Sequence, residues 1–236
     1  MTDARWVIGD LGAAAAGASK AIGWIVRAHS YEADQALASV RPTRADLADA
    51  ALAREQGGTG RLLRRRLLRA LAAQVLGLPP DKIAISRSRA GALSIPELEL
   101  CASVAGSGEY HLVALSHQPI GVDIEILAEG GCASAAYLRD WTAREAYLKA
   151  LGVGLRVDPE TIELATHDEG FNARISRHDV GQGEWAALSD LVAALVMLPP
   201  AGVRHPTRSE IPFMISGSAS ASNGKLRLTR NQPLRF

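Results

Sequence analysis

Leu62, Leu63, Leu67, Leu68 and Leu71 recur every three to five positions between Arg61 and Leu76, the spacing of an amphipathic helix, and Gly77 with Pro79 and Pro80 ends the run. Upstream, Trp24 to Ala28 reads as a short strand and Ala45 to Arg54 as a helix, which Gly57, Gly58 and Gly60 should break. Leu112 to Leu115 and Ile120 to Leu127 read as two strands joined by the turn Ser116, His117, Gln118, Pro119. In the second of these, Ile120, Val122, Ile124 and Ile126 fall on one face and Asp123 and Glu125 on the other. Trp141 to Leu151 reads as a helix stopped by Gly152 and Gly154, with strand-like runs at Ile162 to Ile175 and Trp185 to Leu198. No repeat of 20 to 50 residues is visible, and the stretch from Pro199 through the Ser/Ala/Gly segment at Ser216 to Gly224 reads as a tail.

Composition narrows the class. A chain of 236 residues with 47% hydrophobic and 22% charged residues suits one large soluble domain or two lobes. The formal charge of +1 argues against a general nucleic-acid binder, so any basic site is local. Cys101 and Cys132 are too few for a disulfide framework and lack metal-ligand spacing, which points to two reduced thiols. The alanines at 13 to 16 do not make a signal peptide, because Asp3 and Asp10 occupy the place of a basic leader, and no apolar run is long enough to span a bilayer. The expectation is a cytoplasmic protein that binds neither membrane nor nucleic acid.

The candidate chemistry sits in two blocks. Asp123 and Glu125, about 7 Å apart along one strand face, can converge on one hard cation such as magnesium, although a solvent-facing strand produces the same pattern. Glu145 and Lys149 stand one helical turn apart, with Trp141 one turn earlier on the same stripe. A structural account competes here: Thr142 with Glu145 matches a capping box, and a Glu to Lys pair at this spacing is a common surface salt bridge.

Taken together, Gly121-Val-Asp-Ile-Glu125 followed by Trp141-Thr-Ala-Arg-Glu-Ala-Tyr-Leu-Lys149 resembles the signature of the phosphopantetheinyl transferase superfamily: a G-x-D-x-E strand, then a W-[ST]-x-[KR]-E-x-x-x-K helix. The likeness is nearest to its two-lobed, monomeric class and runs more weakly from about Val40 to Leu198. The resemblance implies an α+β fold of two pseudo-symmetric lobes, each a small antiparallel sheet packed on helices, with the active site in the cleft between them. The first lobe would cover residues 1–118, with roughly the first 20 an extension, the second 119–198, and a tail 199–236.

The same resemblance implies transfer of the 4'-phosphopantetheine arm of coenzyme A to a serine of an acyl or peptidyl carrier protein. It assigns Asp123, Glu125 and Glu145 to Mg2+, Glu145 and Lys149 to catalysis, and Lys149 also to the coenzyme phosphates. Arg61, Arg65, Arg89 and Ser103 are the further candidates for coenzyme A contact, drawn from a set that also includes Arg64, Arg66, Arg69 and Arg87. The chain departs from the family in three places. Gly91-Ala92-Leu93 stands where a G-[KR]-P segment is usual, Ser103-Val104 where a Ser-His pair is usual, and the segment from Glu125 to Trp141 is short, as though a helix were missing. His117 lies too close to the strand to replace that histidine and reads as a turn residue. A member that binds a carrier or coenzyme A without transfer, and an unrelated magnesium phosphohydrolase, are the competing functions.

Overall fold

In the computed structural model, residues 3–15, 19–52, 58–127, 134–168, 170–175 and 180–200 are described; Cys132 and the stretch beyond residue 200 lie outside them. Helical periodicity in the first half of the chain yields three helices. α1 (Tyr31–Leu37) starts at Ser30, whose hydroxyl accepts from the Ala33 N–H. α2 (Arg44–Ala51) starts with a full capping box, Thr43 Oγ1 accepting from the Asp46 N–H and Asp46 Oδ2 from the Thr43 N–H. α3 (Gly58–Leu76) incorporates Gly58 and Gly60, which the sequence placed in a break, and its leucine stripe is buried at Leu67, Leu68 and Leu71.

The strands are β1 (Ala4–Ile8), β2 (Ala21–Arg27), β3 (Ser86–Arg87), β4 (Leu93–Ile95), β5 (Leu100–Ser107), β6 (Tyr110–Ser116), β7 (Ile120–Ile126), β8 (Glu163–His167), β9 (Gly170–Arg174), β10 (Gly181–Leu188) and β11 (Leu191–Met197). The first six form one sheet in the order β1-β2-β6-β5-β4-β3, and the last five another in the order β7-β11-β10-β9-β8. All pairings are antiparallel except β1 with β2, which is parallel and was not anticipated. The chain passes from one sheet to the other between Ser116 and Ile120.

Alternating side chains assign each sheet face to a core. Ile22, Trp24, Val26, Val113 and Leu115 pack on α3, while Ala21, Ile25, Leu112 and Ala114 meet Ile120, Val122, Ile124, Leu191 and Leu195 of the second sheet. The other face of the second sheet packs on α4 (Ala135–Ala150) through Ala143, Ala146, Tyr147, Phe171 and Val196. The result is an α+β stack of helices, sheet, sheet and helix. Both faces of β7 are therefore covered, and Asp123, which the sequence allowed to face solvent, is 4% exposed. Among the described residues no helix is long and apolar enough to cross a membrane.

α4 is longer than the sequence suggested. It begins six residues before Trp141, with Ser134 as N-cap. Thr142 is therefore mid-helix, its hydroxyl donating to the Arg139 carbonyl, and the Thr142/Glu145 capping box does not exist.

Candidate active site

β7 and α4 meet with almost no clearance. A Cβ on Gly121 would lie 1.9 Å from the Ala146 carbonyl oxygen and 2.4 Å from the Ala150 nitrogen, so only glycine lets the strand backbone touch the helix there. Two residues along the same strand face, Asp123 points at the last turn of α4. Lys149 Nζ donates to Asp123 Oδ1 at 2.6 Å and to the Val122 carbonyl at 3.1 Å, and stands 4.0 Å from Glu145 Oε2. The salt bridge expected along the helix surface is thus the weaker contact, and the ammonium is held chiefly to the strand.

Glu145 is itself 7% exposed and lies on the buried side of α4, so it is not one half of the surface salt bridge that its spacing from Lys149 allowed. Glu125, half-buried, accepts from the Ser107 hydroxyl at 3.1 Å, a contact from the end of β5 in the first sheet. Ser103, earlier on β5, is buried and accepts from the Val122 N–H at 3.1 Å, so it satisfies the free edge of β7. The acids are thus positioned from both sheets.

As they stand, no three His, Cys, Asp or Glu side chains among the described residues gather closely enough for a metal ion. Lys149 reaches in toward Asp123 and Glu145, and Glu125 is engaged by Ser107. The donor set is nonetheless all oxygen, as a hard divalent cation requires, and two of its three carboxylates already face one positive charge.

A cavity of about 200 Å³ opens beside this group, lined by Arg87, Gly91 and Ser103 from the first half of the chain and by Lys149, Gly152 and Gly154 from the second. A larger one, about 610 Å³, lies near the other end of α4 between Arg139, Asp140 and His167, and none of the four candidate residues borders it.

The arginines divide by task. Arg65 and Arg69, each 2% exposed, both bind the fully buried Asp46, at 2.7 Å and 2.6 Å, and donate to the Ile85 and Ile83 carbonyls. Arg66 donates to the Val40 and Leu37 carbonyls and Arg61 to that of Asp49. Arg87 grips the Asp49 carboxylate with two nitrogens, at 2.5 Å and 3.1 Å, at the cavity wall. Arg89 is exposed on the turn between β3 and β4, and His117 is exposed on the turn between β6 and β7. The structure thus brings Ser103 and Lys149 to the cavity and places Arg65 in the buried helix-packing network.

Residues 123–196 match the model of the 4'-phosphopantetheinyl transferase superfamily. That match starts at Asp123, takes in α4 and runs nearly to the end of β11, so a domain of the superfamily is detected on the second sheet and its helix. The activity for which that superfamily is named is phosphopantetheinyl transfer. No curated protein matches the chain.

Ser107 and Gly121 are what the sequence reading missed at this site. Gly121 stood in the motif, but its purpose appears only against the α4 backbone. Ser107 carries no signal until β5 and β7 are laid side by side.

Proposed function

We propose that the protein transfers the 4'-phosphopantetheine arm of coenzyme A to a serine hydroxyl of an acyl or peptidyl carrier protein, with Mg2+, releasing adenosine 3',5'-bisphosphate. The observation that carries this is the ammonium of Lys149, anchored to Asp123 and bordering a cavity that both halves of the chain line. A fixed cation at the mouth of such a space suits a pyrophosphate, because its field acts on phosphate oxygens without reorganising as charge builds.

Asp123, Glu125 and Glu145 would hold the magnesium, whose charge offsets that developing on the phosphates. Lys149 orients the same phosphates. Ser107, by holding Glu125, and Gly121, by letting α4 close on β7, position the set. The serine oxygen forms a bond to the β-phosphorus, the bond to the departing adenosine bisphosphate breaks, and Glu145 takes the hydroxyl proton and passes it to solvent. The carrier is met as a soluble partner by a monomeric, cytoplasmic enzyme.

One observation favours a second reading: Lys149 already neutralises Asp123, as it would in a member that binds a carrier or coenzyme A without transfer. The protein incubated with magnesium, coenzyme A and apo carriers from fatty-acid, polyketide and nonribosomal-peptide systems separates the two by intact mass. The expected result is phosphopantetheine addition to a narrow subset of the panel, with Glu145→Gln lowering the rate by about a hundredfold or more. Coenzyme A binding without transfer to any carrier would establish the second reading instead.

A further inference from the structure

The tip of the β5–β6 hairpin rests on the end of β7 that carries Glu125. Ser107 and Tyr110 are ladder partners on either side of the two-residue turn Gly108-Glu109, so their side chains leave the same face of the first sheet, toward the second. Ser107 donates to Glu125 Oε2 at 3.1 Å, and the Tyr110 hydroxyl donates to Asp190 Oδ2 at 2.6 Å. Between them stands Gly108. Its φ is +52°, and a Cβ on it would lie 2.6 Å from Ile126 Cδ1, so the turn and the strand are already in contact. Asp190, on the turn between β10 and β11, also accepts the Leu127 N–H on its carbonyl at 2.8 Å. Glu125, Ile126 and Leu127 are thus met in turn by Ser107, by Gly108 and by the residue that Tyr110 grips.

A serine at a hairpin tip can hold a carboxylate in one orientation only if the tip itself is held. The Tyr110 bond to Asp190 does this, because it is short, charge-assisted and made to the same residue that fixes the end of β7. Ser107 and Glu125 are therefore tied to a common point. The Arg27 to Glu109 ion pair serves as a contrast. It joins the tip to β2 of its own sheet, and its side chains are 62% and 60% exposed, where such a pair contributes little.

We propose that the β5–β6 hairpin fixes the orientation of the Glu125 carboxylate, with Tyr110 as a positioning residue acting through Asp190 and Ser107, and thereby sets the affinity of the acids for a divalent cation. Holding Oε2 on Ser107 determines where the second oxygen of the carboxylate points, and partners of this kind commonly change metal affinity by one or two orders of magnitude. That the acids take a cation rests on the proposed function; that Tyr110 controls Glu125 rests on the contacts alone.

The test uses the full chain and two readouts. The first is the carbon-13 signal of the Glu125 carboxyl at fixed pH without metal, and the second is Mn2+ binding followed by electron paramagnetic resonance, this ion suiting the same oxygen ligands as Mg2+. Ser107→Ala is expected to move the Glu125 signal and weaken Mn2+ about tenfold, and Ser107→Thr, which keeps the hydroxyl, to restore both. Tyr110→Phe, which removes one oxygen and keeps the ring, should move the same signal in the same direction and weaken Mn2+ about threefold, while Arg27→Gln leaves both readouts at the wild-type values. A wild-type signal and affinity in Tyr110→Phe would overturn the proposal, as would an equal loss in Arg27→Gln, which would mean that any loosening of the hairpin has this effect. If Tyr110→Phe moves the Glu125 signal but the wild type binds no Mn2+, the positioning of Glu125 stands and the metal reading of the acids fails.

Discussion

Gly121 shows how much one missing methyl group decides. Any side chain there would drive α4 off β7 and pull Lys149 away from Asp123. Gly121→Ala is expected to cost about 3 kcal/mol or more, since an overpacked, backbone-limited contact cannot relax by rotating a side chain. Urea unfolding followed by circular dichroism measures it, and an unchanged midpoint would show that the helix can shift freely. His111 makes a second prediction at this scale. Burial, then the charges of Arg64 and His29, push its pKa down to about 4. The unfolded state therefore takes up a proton as pH falls through about 6.5, while the folded state does not until about 4. Stability contributed by this group is full above that window and is lost as pH falls across it. Melting temperatures between pH 7 and 4 should decline more steeply for the wild type than for His111→Phe.

Between elements, the decisive contact is the one joining the end of α4 to β7. Asp123 is buried and Lys149 half-buried, so cutting the pair takes from Lys149 the nearer of its two carboxylates and leaves only Glu145, at 4.0 Å. Asp123→Ala is expected to abolish transfer and also to destabilise by about 2 kcal/mol, contrary to what an exposed metal ligand would show. A double-mutant cycle with Lys149→Met separates the two effects: the pair of changes together should cost less than the sum of the single ones. Additive costs would mean that the ion pair contributes nothing to the fold and serves the ligand alone.

Across the whole molecule, the helical layer is tied down by a buried charge network in addition to its leucines. Burial alone would raise the Asp46 carboxyl, but hydrogen bonds from Arg69 and Arg65 and from the Thr43 N–H outweigh it and hold the pKa far below the usual range. Its stabilisation is present above about pH 4 and is lost on further acidification, in a window below that of His111. Asp46→Ala would take the carboxylate from Arg69 and leave Arg65, also 2% exposed, with only its longer 3.5 Å contact to Asp49, and is expected to cost roughly 3 to 5 kcal/mol, read from the shift of the urea midpoint. Removing Arg66, which among the described residues meets only backbone carbonyls at the edge of the same layer, should cost far less.

Local pattern determined much of this protein by itself. The leucine spacing of α3, the period-two rhythm of β7 and the order of Asp123, Glu125, Glu145 and Lys149 are readable because each depends only on neighbours along the chain. The short strands β3 and β4, the parallel pairing of β1, the true start of α4 and the burial of Asp123 depended on what lies against them across space. So did the arginines: Arg64, Arg65, Arg66 and Arg69 are indistinguishable as a run of basic residues. Only packing turned Arg65 and Arg69 toward Asp46 and Arg66 toward backbone carbonyls, while Arg64 was set beside His111 over Gly106. Charge is written in the chain, but the partner that neutralises it belongs to the tertiary structure, because a side chain's field is spent on whatever the fold brings within a few ångströms.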